Sequence, residues 1–246
     1  MENAIVLCSG GMDSVVAAHY LKKKLGYENL IILFFNYGQR SMKQEKVSAE
    51  SCAKKLKARF VEIRIPMLSE IAGSLLSREK NKKVALADLK NSKEESLKWY
   101  VPHRNLMFLG YAMSLSESLA LRDDTRYDIA VGFKNEGEDS FPDTTPEFVS
   151  KINELRDVAS EKNFEIFAPL ILKDKEDIVA LGKELKINLE NTWSCYSPSV
   201  GVQCGTCLAC RLRQEGFYWA NVQDATEYKE KMEDFRLAED KIKDSD

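Results

Sequence analysis

Ser9-Gly10-Gly11-Met12-Asp13-Ser14 separates a strand pattern from a helix pattern, and its reading decides the fold. Before it, Ala4, Ile5, Val6 and Leu7 form the short apolar run of a buried strand. After it, Ser14, Ala17, Ala18, Leu21 and Leu25 recur at helical spacing. A glycine pair therefore occupies a strand-to-helix turn. Gly10 and Gly11 admit backbone angles closed to other residues and let the main chain approach a bulky anion, while the first N–H groups of the following helix have no intrahelical partner. That combination is an anion cradle. Ser9 and Ser14 add hydroxyls, and Asp13 adds a carboxylate placed for a magnesium ion carried on phosphates. The plainer reading of the same residues is a tight turn with Asp13 or Ser14 capping a helix.

Working outward, Leu30 to Phe35 is continuously apolar, as a buried parallel strand tends to be, and ends at Asn36-Tyr37-Gly38-Gln39-Arg40. A helix from about Lys43 to Lys57 and a strand from Phe60 to Ile65 follow. Strand and helix thus alternate, which predicts a doubly wound parallel sheet with ligands beyond the C-terminal strand ends. Arg40 then faces a phosphate or a carboxylate, or is a surface arginine in a polar loop. Ser77 to Lys98 reads as a polar excursion over the site. Val101-Pro102-His103-Arg104-Asn105 opens a long helix from Leu106 to Leu121; His103 reads as a polar cap, and Arg104 and Asn105 as groups that grip nucleotide or substrate. A strand from Asp128 to Phe133 leads into a polar loop with Asn135, Glu136, Glu138 and Asp139, then Phe141-Pro142-Asp143-Thr144-Thr145-Pro146. In that loop Asp143 has a plain reading as a turn residue. A helix carrying Phe148, Ile152, Leu155 and Ala159, a last strand from Ile166 to Leu172 and a helix carrying Ile178, Leu181, Gly182 and Leu185 complete a five-strand α/β domain over 1–190.

Residues 191–246 form a smaller C-terminal segment marked by Cys195, Cys204, Cys207 and Cys210. Four thiolates in this spacing suit tetrahedral zinc; an iron–sulfur cluster and a redox C-x-x-C pair are the other readings. A four-thiolate site is coordinatively closed, so the metal pins structure rather than performing chemistry. Cys8 and Cys52 read as isolated residues, and the tail after Ala225 as a charged, solvated helix. With 246 residues, 44% of them hydrophobic, the chain has material for a large core. Its net charge of −3 supports no bulk nucleic-acid binding, and no apolar run is long enough to span a membrane, which places the chain in the cytoplasm.

The order Ser9 to Ser14 also matches the SGGxDS signature of the PP-loop ATPases, which cleave ATP between the α and β phosphates and place AMP on a carboxylate or carbonyl oxygen. No Gly-Lys-Ser/Thr follows, so it is not a Walker loop. With the segments Asn36 to Arg40, Val101 to Leu106, Pro142-Asp143, Thr192 to Tyr196 and Cys204 to Arg213, the chain resembles the QueC family of 7-cyano-7-deazaguanine synthases from Ser9 to about Phe217. The resemblance implies an adenine-nucleotide α-hydrolase-like Rossmann fold with a zinc-bearing subdomain, often homodimeric. It further implies Mg²⁺-dependent activation of 7-carboxy-7-deazaguanine by ATP, capture of ammonia to give the amide, and a second activation giving the nitrile. On this reading ATP meets Ser9, Gly10, Gly11, Asp13, Ser14, Tyr37 and Arg40. The deazapurine meets Arg104, Asn105, Phe141 and Asp143, and the chemistry rests on Asp13, Ser14 and Arg104. Tyr37, Phe133 and Phe141 offer rings for stacking, or serve as ordinary core.

Two departures bear on the substrate. Family members commonly carry Tyr-Pro-Asp-Cys-Arg where this chain has Phe141-Pro142-Asp143-Thr144-Thr145, and His103 stands where the family often has a small residue. A divergent branch would deliver the activated carboxylate to an amine on a partner protein encoded in the same operon, as in a bacterial antiviral system. Two further classes are a non-catalytic nucleotide module, opposed by the intact Ser9 to Ser14 signature, and a tRNA-thiolating enzyme, opposed by the absence of a basic extension.

Overall fold

The computed structural model describes residues 2–68, 92–134, 141–197 and 201–232. The expected alternation is present: β1 (Asn3–Leu7), α1 (Met12–Lys23), β2 (Asn29–Asn36), α2 (Met42–Leu56) and β3 (Arg59–Arg64). These are followed by α3 (Ser92–Leu97), α4 (Arg104–Asp123), β4 (Asp128–Val131), α5 (Pro146–Ala159), β5 (Ile166–Phe167), α6 (Lys175–Glu184) and α7 (Leu208–Trp219). The strands form one parallel sheet in the order β3-β2-β1-β4-β5.

The period-2 alternation of side chains explains why β1 and β2 are apolar throughout. Ile5, Ile31, Leu33, Phe35, Ile129 and Val131 face one side and pack against Leu109, Ala112 and Leu119 of α4 and Ile152 of α5. Ala4, Val6, Ile32, Phe34 and Ala130 face the other side and pack against Val15, Ala18 and Leu21 of α1 and Ala49, Cys52 and Ala53 of α2. A third cluster joins the outer side of α1, through Met12, Val16 and Ala17, to Ile178 and Val179 of α6 and Phe217 of α7. The chain order reverses between β1 and β4, so a crevice opens beyond their C-terminal ends, where such sheets take ligands.

Several boundaries differ from the sequence reading, each for a local reason. The last strand is only Ile166–Phe167, not Ile166 to Leu172. Pro169 has no N–H for a ladder, and beyond it the chain turns, with Ile171 N donating to Ala168 O at 3.2 Å and Lys173 N to Leu170 O at 2.9 Å. β4 stops at Val131, before Gly132 meets α1. Of the polar excursion from Ser77 to Lys98, residues up to 91 lie outside the described residues, as do Asn135, Glu136, Glu138 and Asp139; Ser92–Leu97 is a short helix. The segment after Ala225 is not helical through Met232. It is a strap: Tyr228 pairs with Gln203 in a β-bridge, and Thr226 and Met232 are buried. Among the described residues no helix is long and apolar enough to cross a membrane.

His19, inside α1, is buried with neither ring nitrogen hydrogen-bonded among the described residues. Burial, with repulsion from Lys23 and Lys55, pushes its pKa down to about 4. The unfolded chain takes up this proton near pH 6.5 while the folded chain refuses it. Stability should therefore fall as pH drops from 6.5 to 4, by on the order of 3 kcal/mol from this group alone. Urea titrations of the native chain and His19→Leu across that range should show the native chain losing more; parallel losses would contradict the assignment.

Candidate active site

At the end of β1 the chain makes the turn Ser9 to Gly11 and enters α1 at Met12. Gly10 has φ +80°, and a Cβ there would lie 2.3 Å from Glu45 O and 2.8 Å from Ser48 Cβ, so no other residue fits. Its carbonyl is held from two directions, by Ser48 Oγ at 2.7 Å and by Trp193 N at 2.9 Å. Ser48 Oγ also lies 2.7 Å from Asn191 O. Opposite, Gly132 lets the end of β4 press on the first turn of α1, since a Cβ would sit 2.7 Å from Ser14 Cα. Ser9 Oγ accepts from Gly11 N at 3.2 Å, and Ser14 Oγ donates to Gly11 O at 3.0 Å. The first intrahelical bond is Val15 N to Gly11 O, and Gly11 provides no side-chain cap, so the amides of Met12, Asp13 and Ser14 stand at the positive end of the helix.

Asp13 does not stand alone. Lys175, the first residue of α6, donates to Asp13 Oδ1 at 2.9 Å and Oδ2 at 2.7 Å. The lysine stem reaches this position across Gly216 of α7, where a Cβ would lie 2.3 Å from Lys175 Cγ. Nothing in the charged run Lys173 to Asp177 singles out Lys175 by sequence; its one local signal is its place at a helix start beyond the last strand.

From β2, the turn after Asn36 brings Gln39 against α2 and Tyr37 against Phe108 of α4. Glu45 accepts from Ser41 Oγ at 2.6 Å and from Gln39 Nε2 at 2.9 Å, and burial pushes its carboxyl above the usual range against the opposing pull of these bonds and of Arg104. This group, too, carries no signal in the sequence. Tyr37 is buried, and burial raises its phenol pKa. Arg104 at the start of α4 reaches the Tyr37 hydroxyl at 3.4 Å, with its guanidinium 5.9 Å from that ring centroid. Arg40 is half-buried in the same turn.

Asn105 N donates to Asp143 Oδ2 at 3.3 Å, and Asn105 Nδ2 to Asp143 O at 3.2 Å. Asn105 thus fixes the Pro142–Thr144 turn, and Asp143 is buried rather than a solvated turn residue. Phe141 stacks on Tyr100 with centroids 5.0 Å apart. His103 occupies the N-cap of α4 in the left-handed region, at φ 57°, but its side chain makes no capping hydrogen bond. Phe133 packs against Phe148 and the core.

The sulfurs of Cys195, Cys204, Cys207 and Cys210 lie within 4.8 Å of one another. A tetrahedral zinc with Zn–S of about 2.3 Å requires S···S of about 3.8 Å, so the cluster could close on a metal with small adjustments. Backbone N–H groups already point at its sulfurs: Ser197 N and Cys204 N at Cys195 Sγ, and Cys207 N at Cys204 Sγ, each at 3.3 Å. Gly205, at φ +77°, lies so close under Glu230 O that a Cβ would be 1.6 Å away. Buried Arg213 of α7 ties the segment Leu189 to Ser194, just before Cys195, to the strap at Thr226. It donates to Thr192 Oγ1 at 2.7 Å, Ser194 Oγ at 3.2 Å, Leu189 O at 2.8 Å and Thr226 Oγ1 at 2.9 Å.

The chain matches known proteins over most of its length. The family model described as "Queuosine biosynthesis protein QueC" matches residues 3–221. The chain belongs to the QueC family. A 7-cyano-7-deazaguanine synthase from a Nitratiruptor species is 37% identical over 229 residues, 92% of this chain and 98% of that relative. Another, from Methanobrevibacter smithii, is 34% identical over 233 residues, 93% of this chain and 99% of that relative. Among solved structures, the NMN synthetase from Francisella tularensis matches with a TM-score of 0.42 and 17% identity, over 91% of this chain and 79% of that one. The matched span of the family model contains the glycine turn, Lys175, Asp143 and all four clustered cysteines.

Gly10→Ala places a methyl group against Glu45 O in a left-handed backbone. It should destabilise the fold by about 1–3 kcal/mol and abolish nucleotide binding. Chemical denaturation paired with ATP titration tests this; a native midpoint and native affinity would show that the close approach is dispensable.

Proposed function

We propose that the chain uses ATP and Mg²⁺ to adenylate the carboxylate of 7-carboxy-7-deazaguanine and converts it, with ammonia, through the amide to 7-cyano-7-deazaguanine. The observation that supports this reading is the pairing of Lys175 with Asp13 at the first turn of α1, beyond the end of β1. A carboxylate oxygen attacks the α-phosphorus and the bond to the β-phosphate bridging oxygen breaks, releasing pyrophosphate. Ammonia then attacks the acyl carbon, AMP leaves with the former carboxylate oxygen, and a proton passes to solvent. The amide oxygen is adenylated by a second ATP in the same way, releasing pyrophosphate as nitrogen gives up one proton to leave an imidate, and loss of AMP with the amide oxygen and of the second nitrogen-bound proton leaves the nitrile.

Each activation builds negative charge on phosphate oxygens. In this reading the Gly11 to Ser14 turn and the α1 dipole meet one side of the phosphates, Lys175 meets the leaving pyrophosphate, and Arg104 holds the substrate carboxylate. No protein nucleophile takes part. Magnesium supplies further charge neutralisation when bound, and Asp13 is the carboxylate available to hold it. Ser9, Ser14, Tyr37 and Arg40 belong to the nucleotide side, while Asn105, Phe141 and Asp143 belong to the deazapurine side. Tyr37, buried among Phe35 and Phe108, shapes that wall from within the core.

The four-cysteine cluster is proposed to hold structural zinc, its four-thiolate donor set leaving no open position for chemistry. Elemental analysis should find one zinc per chain. Cys207→Ser should lose it and lower the unfolding midpoint; a metal-free variant of native stability would contradict the assignment.

Asp13→Asn and Lys175→Met should each reduce substrate-dependent ATP–pyrophosphate exchange by about a hundredfold with the fold intact. Native exchange in both variants would remove this pair from the mechanism. Mass spectra also identify the acceptor: ammonia yields the nitrile, whereas a protein amine in place of ammonia yields an amide-linked adduct and no nitrile.

A further inference from the structure

A single peptide group, between Thr192 and Trp193, stands between the cysteine cluster and the glycine turn. Its N–H donates to Gly10 O at 2.9 Å, and its C=O accepts from Gln203 Nε2 at 3.2 Å. The bond is trans, so the two groups point in opposite directions, and Gln203 and Gly10 lie on opposite sides of one rigid plane. The next peptide is held by the same side chain, Ser194 N donating to Gln203 Oε1 at 3.1 Å. Gln203 is 2% exposed, so both ends of its amide are committed to these two peptides inside the protein. It directly precedes the cluster residue Cys204, whose N donates to Cys195 Sγ at 3.3 Å. Trp193 is bound to the cluster as well, its indole Nε1 donating to Cys195 O at 2.9 Å.

We propose that Gln203 is a positioning residue that couples the cysteine cluster to the nucleotide site, so that bound metal strengthens the hold of the glycine turn on ATP and bound ATP strengthens the hold of the cluster on metal. The inference rests on the proposed function and adds to it a coupling between two of its ligands. The cluster sulfurs lie within 4.8 Å of one another, and drawing them in on a metal acts directly on Cys195 and Cys204. Those two residues carry Trp193 and Gln203, the groups on either side of the Thr192–Trp193 peptide. A close-packed interior passes such a shift along instead of absorbing it, and a chain of buried hydrogen bonds polarises along its length. The chain here has two links, from the Gln203 amide to the peptide and from the peptide to Gly10 O. Arg213 holds the side chains of Thr192 and Ser194 but not the peptide that meets Gly10. Linkage requires the two effects to be equal: metal raises ATP affinity by the same factor by which ATP raises metal affinity.

The test is equilibrium competition for zinc between the full chain and a chromogenic chelator, with and without saturating Mg²⁺ and the non-cleavable α,β-methylene ATP. The native chain should hold zinc about fivefold or more tighter when the analogue is bound. Gln203→Met keeps the length of the side chain and removes both of its amide hydrogen bonds; it should still bind zinc, with the effect of the analogue reduced to near one. The analogue also binds free zinc, equally in every sample, so the variant serves as the reference for that contribution. A native zinc affinity that the analogue leaves unchanged overturns the inference. Coupling of native size in Gln203→Met also overturns it, because metal and nucleotide would then communicate only through global folding. If Gln203→Met takes up no zinc, Trp193→Phe decides: it removes only the indole donor to Cys195 O, and native coupling there overturns the inference. A native chain that binds zinc but not the analogue removes the nucleotide site of the proposed function, and the coupling with it. One that binds the analogue but no zinc leaves that site standing and overturns the coupling alone.

Discussion

The carbonyl of Gly10 is the point through which the structure is joined. One hydrogen bond comes from Ser48 on α2 and another from Trp193, just before the cysteine cluster, and neither could form if a side chain held the backbone away from Glu45 and Ser48. The geometry of the glycine turn, the seating of α2 and the position of the C-terminal segment are therefore one constraint. Arg213 carries it further, from Leu189 and Thr192 to the strap at Thr226.

Charge is arranged in opposed pairs around this point. Asp13 and Lys175 come from helices 162 residues apart in sequence, and they meet because the apolar side of α1 packs on α6. Their pairing keeps each charge satisfied; in the proposed function the lysine turns to phosphate and the carboxylate to a metal ion. Arg104 also pulls on Glu45 near Tyr37, against the burial that pushes the Glu45 carboxyl above the usual range. Preorganised charges of this kind stabilise a transition state without reorganising during the reaction.

Strand and helix alternation was legible because β1 and β2 are buried on both faces and so read as unbroken apolar runs. The glycine turn was legible because few residue types tolerate its backbone. Lys175 and Glu45 were not, since each sits in a stretch whose composition resembles any solvated helix and becomes part of the crevice only through packing of distant elements. The strap after Ala225 resembles a surface helix in sequence for the same reason: its lysines and glutamates outnumber Thr226 and Met232, the residues that bury it. The sequence makes β5 too long because apolarity continues through Leu170 to Leu172, where Leu170 packs against α1 and α6 instead of extending the ladder.

The central claim is that a substrate oxygen ends on the nucleotide. It is tested by supplying 7-carboxy-7-deazaguanine labelled with ¹⁸O in both carboxylate positions, together with ATP, Mg²⁺ and ammonium, and reading the label in AMP by mass spectrometry. Adenylation at the carboxylate, and then at the amide, predicts one ¹⁸O in each AMP and an unlabelled pyrophosphate. Unlabelled AMP, or ADP and labelled phosphate in its place, would contradict the account.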